Sequence, residues 1–346
     1  MFENLIEPSV LDALIKFGIN VGIILLKIVV VLGITLLHVA YATYFERKVI
    51  GHMQVRLGPM RVGPHGLLQP IADGVKLFFK EDIIPAKADK PVFYLSPVIF
   101  MAAAMVSLSF IPFTGNFVIA DVNLGLLFLF AMSGLGVYGI FMSGWSSNSK
   151  YSFIGGLRST SQVISYEIAM GLSLVGVMMM AGSLNLSDIV KAQENSPFGI
   201  FAIPQIVGFV VFVIAAVAET NRTPFDLPEA ESELVAGYFT EYSGFRFALF
   251  FLGEYIGMFI MSSICAVCFL GGWTMPWYIM KIPFLSYVPG IFWFLLKVYA
   301  FIFFYYWIRA TVPRYRYDQL MAIGWKILIP VALANILITG LIKILL

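Results

Sequence analysis

The chain has 346 residues, of which 60% are hydrophobic and 12% are charged. An average soluble domain has roughly 45–50% apolar and 25% charged residues, so this composition indicates an integral membrane protein. The formal net charge of +2 is too small to suggest a nucleic-acid partner.

Apolar runs of about 20 residues or more divide the chain, and each is long enough to cross a bilayer as a helix. We predict an all-α membrane protein with about eight transmembrane helices in a single integral membrane domain, residues 1–346. The predicted spans lie near 17–45, 92–113, 124–145, 161–182, 201–220, 246–272, 291–312 and 323–344. No short cleavable signal precedes the first run, so we expect this run to remain as an anchor.

Basic residues predict the orientation of these spans. The connections between spans one and two, three and four, five and six, and seven and eight carry 16 Lys and Arg, against 4 on the other side. Positively charged connections stay on the inner side of a membrane. We therefore expect these four connections, the inner loops, on the cytoplasmic or matrix side, with both termini outside.

The first inner loop contains a second kind of helix. Gly58-Pro59 and Gly63-Pro64 break the loop, and residues 66–80 then show apolar residues at helical spacing. This segment is too short and too polar to span, so it predicts an amphipathic helix in the interface. Such a helix could be a simple membrane anchor or the lip of an opening through which an amphiphile leaves the lipid.

Acidic residues concentrate at the inner ends of three spans. Glu167 lies within the fourth span, Glu219 closes the fifth, and Glu254 lies within the sixth. An acid within a span is costly and marks a functional site unless it is paired only for packing. Three such acids could relay protons from a wet inner site toward the middle of the membrane. Binding of a hard cation is the chemical alternative.

The segment from Glu219 to Glu241 holds six acids and one base. In this segment Asp226 and Glu229 fit the start of a helix as a cap and a capping box. Helix capping does not account for Glu231 and Glu233. Crowded carboxylates can share protons, which suits a proton route.

Cys265 and Cys268 form a C-x-x-C pair inside an apolar run. No further ligand accompanies them, so we interpret them as small core residues about one helical turn apart. The sequence therefore predicts no metal site and no iron–sulfur cluster in this chain.

The seventh span and the last inner loop carry further basic residues. Lys297 lies in the middle of a span and is expected to face an acid or water. Arg309, Arg314 and Arg316 alternate with aromatic residues and could be interfacial anchors. They could also neutralise the acidic segment or meet an incoming polar headgroup.

The four inner loops together resemble one family, the membrane subunit of proton-pumping NADH:quinone oxidoreductase (respiratory complex I) that is called the H subunit in bacteria and subunit 1 in mitochondria. The matching segments follow the family's order. They are ERKVIGHMQVRLGPMRVGPHGLLQPIADGVKLFFKE, GWSSNSKYSFIGGLRSTSQVISYEIAMGLSL, AETNRTPFDLPEAESELVAGYFTEYSG and WIRATVPRYRYDQLM.

The resemblance implies a quinone channel and a proton route, with no complete active site and no catalytic residue in this chain alone. The channel candidates are Glu46, Arg47, Asp73, Lys76, Phe78, Arg246, Arg309 and Arg314. The route candidates are Glu167, Glu219, Glu229, Glu231, Glu233 and Glu254, to which we add Lys297.

The resemblance also implies partners and a location. Ubiquinone or menaquinone would be the substrate, with no covalently bound cofactor. NADH, FMN and iron–sulfur clusters would belong to partner subunits of the hydrophilic redox arm, and other subunits would continue the membrane arm. The location would be the bacterial inner membrane or the inner mitochondrial membrane.

Two other functions remain open from the sequence. The chain could be the membrane anchor of an energy-converting hydrogenase, which needs no quinone entrance. It could also be a stand-alone ion or solute carrier, although it shows no internal repeat and its large inner loops suit docking of soluble subunits. The amphipathic segment and the acidic loop favour the quinone enzyme.

Overall fold

The computed structural model describes residues 8–197, 199–226, 236–275 and 287–345, with side chains from residue 15 onward. These ranges contain α-helices and no β-strand, as the sequence predicts. In chain order the helices are α1 (Pro8–Met53), α2 (Gln69–Phe79), α3 (Lys90–Ser107), α4 (Gly125–Ser146), α5 (Lys150–Ala181), α6 (Leu186–Glu194), α7 (Ile206–Glu219), α8 (Gly244–Phe269), α9 (Gly290–Thr311), α10 (Tyr317–Ile323) and α11 (Ile329–Leu345). A π-helical segment, Gly324–Leu328, joins α10 to α11.

Seven helices in the described ranges are long and apolar enough to cross a membrane. They are α1, α3, α4, α5, α8, α9 and the continuous α10–α11 helix. The predicted span at 201–220 corresponds to α7, which has 14 residues. At 1.5 Å per residue α7 is about 21 Å long, against about 30 Å for the hydrocarbon core of a bilayer. The architecture is that of a multi-pass membrane protein.

The first helix extends well beyond the predicted span. It has 46 residues and ends at Met53 rather than near residue 45. Its length of about 69 Å exceeds the whole bilayer, including headgroups, of about 40–45 Å. Glu46 and Arg47 are therefore helical residues, because both are good helix formers and no Gly-Pro break occurs before Gly58.

The fifth helix begins at Lys150, earlier than the predicted boundary at 161. The polar residues of this first part are buried against protein, where apolar composition is not required. Gln162, for example, is fully buried and donates to the carbonyl oxygens of Ala218 (2.7 Å) and Phe225 (2.9 Å). Glu167 consequently lies about 26 Å along the helix from Lys150, rather than the roughly 10 Å that the sequence suggested.

The predicted amphipathic helix is present as α2, with bounds at 69 and 79 rather than 66 and 80. Gly66 belongs to the preceding turn, at φ +82°, where a Cβ atom would lie 2.3 Å from the carbonyl oxygen of Pro59. No residue of α2 is buried, and the ring of Phe78 stacks on Phe245 at 4.7 Å. The helix thus lies along the surface of the bundle.

The core is organised around α8, which packs against α1, α2, α3, α6, α7 and α9. Most of α8 is buried, including the side chains of Cys265 and Cys268. Both thiols are free. We call the side that carries residues 54–89 and 220–243 the loop-rich side. Its connections contact one another, as in the bond from the Ile83 amide to the Ser243 hydroxyl (2.9 Å).

Close helix packing generates the first prediction. A Cβ atom on Gly144 of α4 would lie 2.7 Å from the carbonyl oxygen of Ser152 in α5, whereas one on Gly171 of α5 would meet nothing within 4 Å. Gly144→Ala should therefore lower the free energy of unfolding by about 1–3 kcal/mol through overpacking. The thermal unfolding midpoint of the purified assembly measures this effect. Gly171→Ala is the matched control and should be neutral or stabilising, because alanine favours the helix.

Candidate functional site

Glu46 is the centre of a buried polar cluster on the loop-rich side. Its side chain, in α1, is 4% exposed. The Tyr255 hydroxyl in α8 donates to Oε2 at 2.6 Å, and Arg309 in α9 pairs with Oε1. Arg222 approaches Oε1 at 3.5 Å, and its guanidinium lies 4.4 Å from the centre of the Tyr255 ring. Three helices and the segment after α7 therefore meet at one carboxylate.

A second carboxylate balances the charge of this cluster. Oε2 of Glu254 lies 3.9 Å from Nη2 of Arg222, and the Tyr238 hydroxyl donates to Oε1 of Glu254 at 2.9 Å. Glu254 and Arg222 are both buried. The cluster thus contains two carboxylates, Glu46 and Glu254, and two guanidiniums, Arg222 and Arg309. Arg222 lies between the two acids.

A polar cavity of about 650 Å³ opens beside this cluster. Its charged and polar lining residues are Glu46, Arg47, Gln54, Arg56, Arg222, Glu254, Tyr255 and Arg309. Arg47 also pairs with Asp73 of α2 at 2.9 Å, which ties the amphipathic helix to the rim of the cavity. We call this space the polar cavity.

A second cavity, of about 100 Å³, lies deeper in the bundle among α3, α4, α5 and α8. Its lining is mostly apolar but includes Glu219, Thr220, Asn221 and Glu254. We call it the inner cavity. Glu254 lines both cavities, so this carboxylate stands at the boundary between the polar cavity and the inner one.

Glu219 and Glu167 approach the same point of α4. The Ser133 hydroxyl donates to Oε1 of Glu219 at 2.5 Å, and Oε2 of Glu219 has no hydrogen-bond partner among the described residues. On the next residue, Gly134, a Cβ atom would lie 3.7 Å from Oε1 of Glu167. The three acids that the sequence selected, Glu167, Glu219 and Glu254, are thus arranged around α4 and the inner cavity.

The remaining predicted channel residues lie around the loop-rich side. Arg246 pairs with Asp82 at 2.9 Å and covers the ring of Tyr94 at 3.8 Å. Arg314 pairs with Asp226 at 3.2 Å, which links the last inner loop to the start of the acidic segment. On α2, Lys76 and Phe78 are exposed on the surface rather than inside the polar cavity.

Lys297 is held by backbone rather than by an acid. Its ammonium donates to the carbonyl oxygens of Gly272 (2.9 Å) and Thr274 (2.8 Å), and the side chain is buried. The expected acid or water is replaced by two carbonyl groups of the turn after α8, which the ammonium can reach at short range. Glu229, Glu231 and Glu233, and with them the predicted capping box, lie outside the described residues.

Comparison with known proteins identifies the family. A sequence model described as NADH dehydrogenase matches residues 26–340, which include the whole cluster. The chain belongs to the NADH dehydrogenase family.

Relatives in this family match over nearly their full length. The protein named as the H subunit of NADH-quinone oxidoreductase in Rhodospirillum rubrum is 56% identical over 302 residues, covering 87% of this chain and 88% of the relative. A protein of Geobacter metallireducens, named as a second H subunit of the same enzyme, is 52% identical over 337 residues, covering 92% and 94%. The H subunit of Brevibacillus brevis is 54% identical over 314 residues, covering 91% of each. The resemblance seen in the inner loops is confirmed.

Three contacts of this NADH dehydrogenase family member were missed by sequence reasoning. Ser133 binds Glu219, Tyr238 binds Glu254, and Tyr255 binds Glu46. A hydroxyl within an apolar span could have drawn attention to Ser133, since such groups form bonds between membrane helices. The two tyrosines carry no comparable signal, because tyrosine is common at membrane interfaces and in cores.

The cation-binding alternative finds no support in geometry. Across residues 8–197, 199–226, 236–275 and 287–345, no group of three or more His, Cys, Asp or Glu side chains is placed to hold a metal ion. The acids instead pair with arginine, tyrosine and serine.

The charge balance of the cluster generates the second prediction. Glu46→Gln would leave Arg222 and Arg309 with Glu254 alone, and breaking a buried pair is typically costly because a charge is left uncompensated. We expect the free energy of unfolding to fall by about 3–5 kcal/mol, measured as a lower thermal midpoint of the assembly. Asp188→Asn is the matched control. It removes an exposed pair with Lys191 (3.5 Å) and should cost no more than about 1 kcal/mol.

Proposed function

We propose that this chain is the quinone-channel and arm-anchoring membrane subunit of an NADH:quinone oxidoreductase. In this role it forms the quinone access tunnel together with the hydrophilic arm and provides the first part of the proton-coupling route. The observation that carries the proposal is the position of Glu254, which lines both the polar cavity and the inner cavity. The names of its relatives support the same assignment.

The polar cavity suits a quinone headgroup in size and chemistry. Binding pockets for small ligands are typically about 300–1,000 Å³, and this cavity has about 650 Å³. Quinone carbonyl oxygens accept hydrogen bonds, and Arg47, Gln54 and Arg56 offer donors from its lining. The exposed apolar side chains of α2 border this end of the molecule and provide a path for the isoprenoid tail. The quinone could be ubiquinone or menaquinone.

The proton route would begin at the charged cluster. Reduction of a quinone to a quinol takes up two electrons, supplied through flavin and iron–sulfur clusters of partner subunits, and two protons. Negative charge that develops in the polar cavity competes with Glu46 and Glu254 for Arg222. A carboxylate that loses its cation binds a proton more readily. Glu254 could then pass a proton toward Glu219 across the inner cavity, and Glu219 could pass it toward Glu167 beside α4.

The same proposal includes the surroundings of the chain. Residues 1–346 would form one membrane domain in the bacterial inner membrane or the inner mitochondrial membrane. The loop-rich side would face the cytoplasm or matrix and dock the hydrophilic redox arm. The partly exposed carboxylate of Glu167 would face the rest of the membrane arm.

Co-purification tests the assignment as a whole. The chain is isolated from mildly solubilised membranes, and the eluate is assayed for inhibitor-sensitive NADH:quinone reductase activity. Flavin- and cluster-bearing partners together with that activity would support the proposal. A nickel hydrogenase module would indicate a hydrogenase anchor, and isolation without redox partners in several detergents would indicate a carrier.

Glu254→Gln tests the relay directly. The amide cannot exchange protons as a carboxylate does, so proton-coupled NADH:quinone turnover should fall on the order of 10²-fold, the lower range for one positioned proton-transfer group. NADH oxidation by ferricyanide, which bypasses the quinone step, should be unchanged. Glu194→Gln, at an exposed acid of α6, is the control. Equal quinone turnover in both variants would contradict a role for Glu254.

The acidic segment allows a further test. Glu229, Glu231 and Glu233 add negative charge beside the cluster in sequence, and we propose that they share protons with it. The triple change Glu229→Gln, Glu231→Gln and Glu233→Gln should lower both the quinone reductase rate and the proton yield per NADH. Wild-type values for both quantities would count against their participation.

A further inference from the structure

A separate cavity of about 250 Å³ lies between α1 and α9. Tyr41, Phe45 and Val49 of α1 form one wall, and Tyr299, Ile302 and Phe303 of α9 form the other. No residue lines both this cavity and the polar cavity, since the two occupy different faces of α1. We call it the α1–α9 groove.

The walls of the groove are apolar although they contain several tyrosines. The hydroxyl of Tyr306 is engaged with the carbonyl oxygen of Ala42 (3.1 Å), and that of Tyr299 with Nδ1 of His38 (3.2 Å). The rings are therefore left to line the space. Phe45 and Phe303 are 55% and 52% exposed, so the groove opens toward the bilayer side of the bundle.

A basic rim continues the groove toward the loop-rich side. Lys48 and His52 follow Tyr41 and Phe45 at spacings of four, three and four residues, which places all four on one stripe of α1. The ammonium of Lys48 contacts the sulfur of Met60 (2.8 Å) and forms no ion pair with any described residue. His52 is exposed at the end of the stripe.

The depth of the groove matches one leaflet. Tyr41 lies about 10 Å and His38 about 15 Å along α1 from Lys48, at 1.5 Å per residue. Half of the hydrocarbon core is also about 15 Å. The space thus runs from a positive charge at headgroup level to the middle of the membrane.

We propose that the α1–α9 groove holds an acyl chain of an anionic phospholipid from the leaflet on the loop-rich side, with the phosphate at Lys48 and His52. The positive rim complements an anionic headgroup. A flexible chain fits the narrow aromatic cleft, whereas a helix about 10 Å across does not. The lipid would fix the spacing of α1 and α9, the helices that bring Glu46 and Arg309 together.

Photo-crosslinking tests this proposal on the assembled complex. The complex is placed in phosphatidylcholine nanodiscs with a trace of phosphatidylglycerol that carries a diazirine in its acyl chain. After irradiation, adducts should concentrate at residues 41–49 and 299–306. The same probe on a phosphatidylcholine headgroup should label these peptides less. Lys48→Gln should lower the phosphatidylglycerol yield about fivefold, the effect of one basic residue near a charged headgroup.

Two further variants make the test decisive. Lys150→Gln removes an exposed charge from the same side and should leave the yield unchanged. Val49→Trp would fill the groove, and adducts there should disappear while the ferricyanide activity of the complex is retained. Equal labelling by both headgroups, labelling spread evenly along α1, or a crosslinked peptide from another subunit in the groove would overturn the proposal. None of these outcomes depends on the quinone reaction.

Discussion

The structure on the loop-rich side depends on charge compensation between Glu46, Glu254, Arg222 and Arg309. An unpaired charge at this depth would be costly, so each of these side chains is tolerated because the others are present. Their helices are far apart in sequence, and the cluster therefore fixes how α1, α8 and α9 meet. The same balance that stabilises the bundle leaves Arg222 between two acids, where a change of charge in the polar cavity reaches both.

The short helix α7 makes this cluster possible. Because α7 ends at Glu219, the following residues 220–226 run without helical structure through the interior, and all of them are buried. Irregular backbone at membrane depth is tolerated only where protein satisfies its polar groups. The amide of Gln162 does so by donating to the carbonyl oxygens of Ala218 and Phe225. The polar start of α5 is thus needed to hold the segment that carries Arg222.

The sequence predicted those features that composition alone determines. Apolar runs revealed the spans, helical spacing revealed α2, and charges within spans revealed Glu167, Glu219 and Glu254. It missed the extension of α5 to Lys150, because buried polar residues there resemble a loop by hydropathy. Hydroxyl partners such as Tyr255 were also missed, since their roles depend on tertiary contacts. The two carbonyl groups that hold Lys297 belong to the backbone, which leaves no trace in residue identity.

The unbroken length of α1 limits how this sequence can change. Between Val31 and Met53 the helix has no interruption, so the angular position of Glu46 is set by every residue that precedes it. One inserted or deleted residue in that stretch would rotate all positions beyond it by about 100°. Glu46 would leave the cluster, and Tyr41 and Phe45 could no longer both keep their wall. Length variation in homologous chains should therefore be absent from this stretch of α1 and concentrate in exposed connections such as residues 54–57.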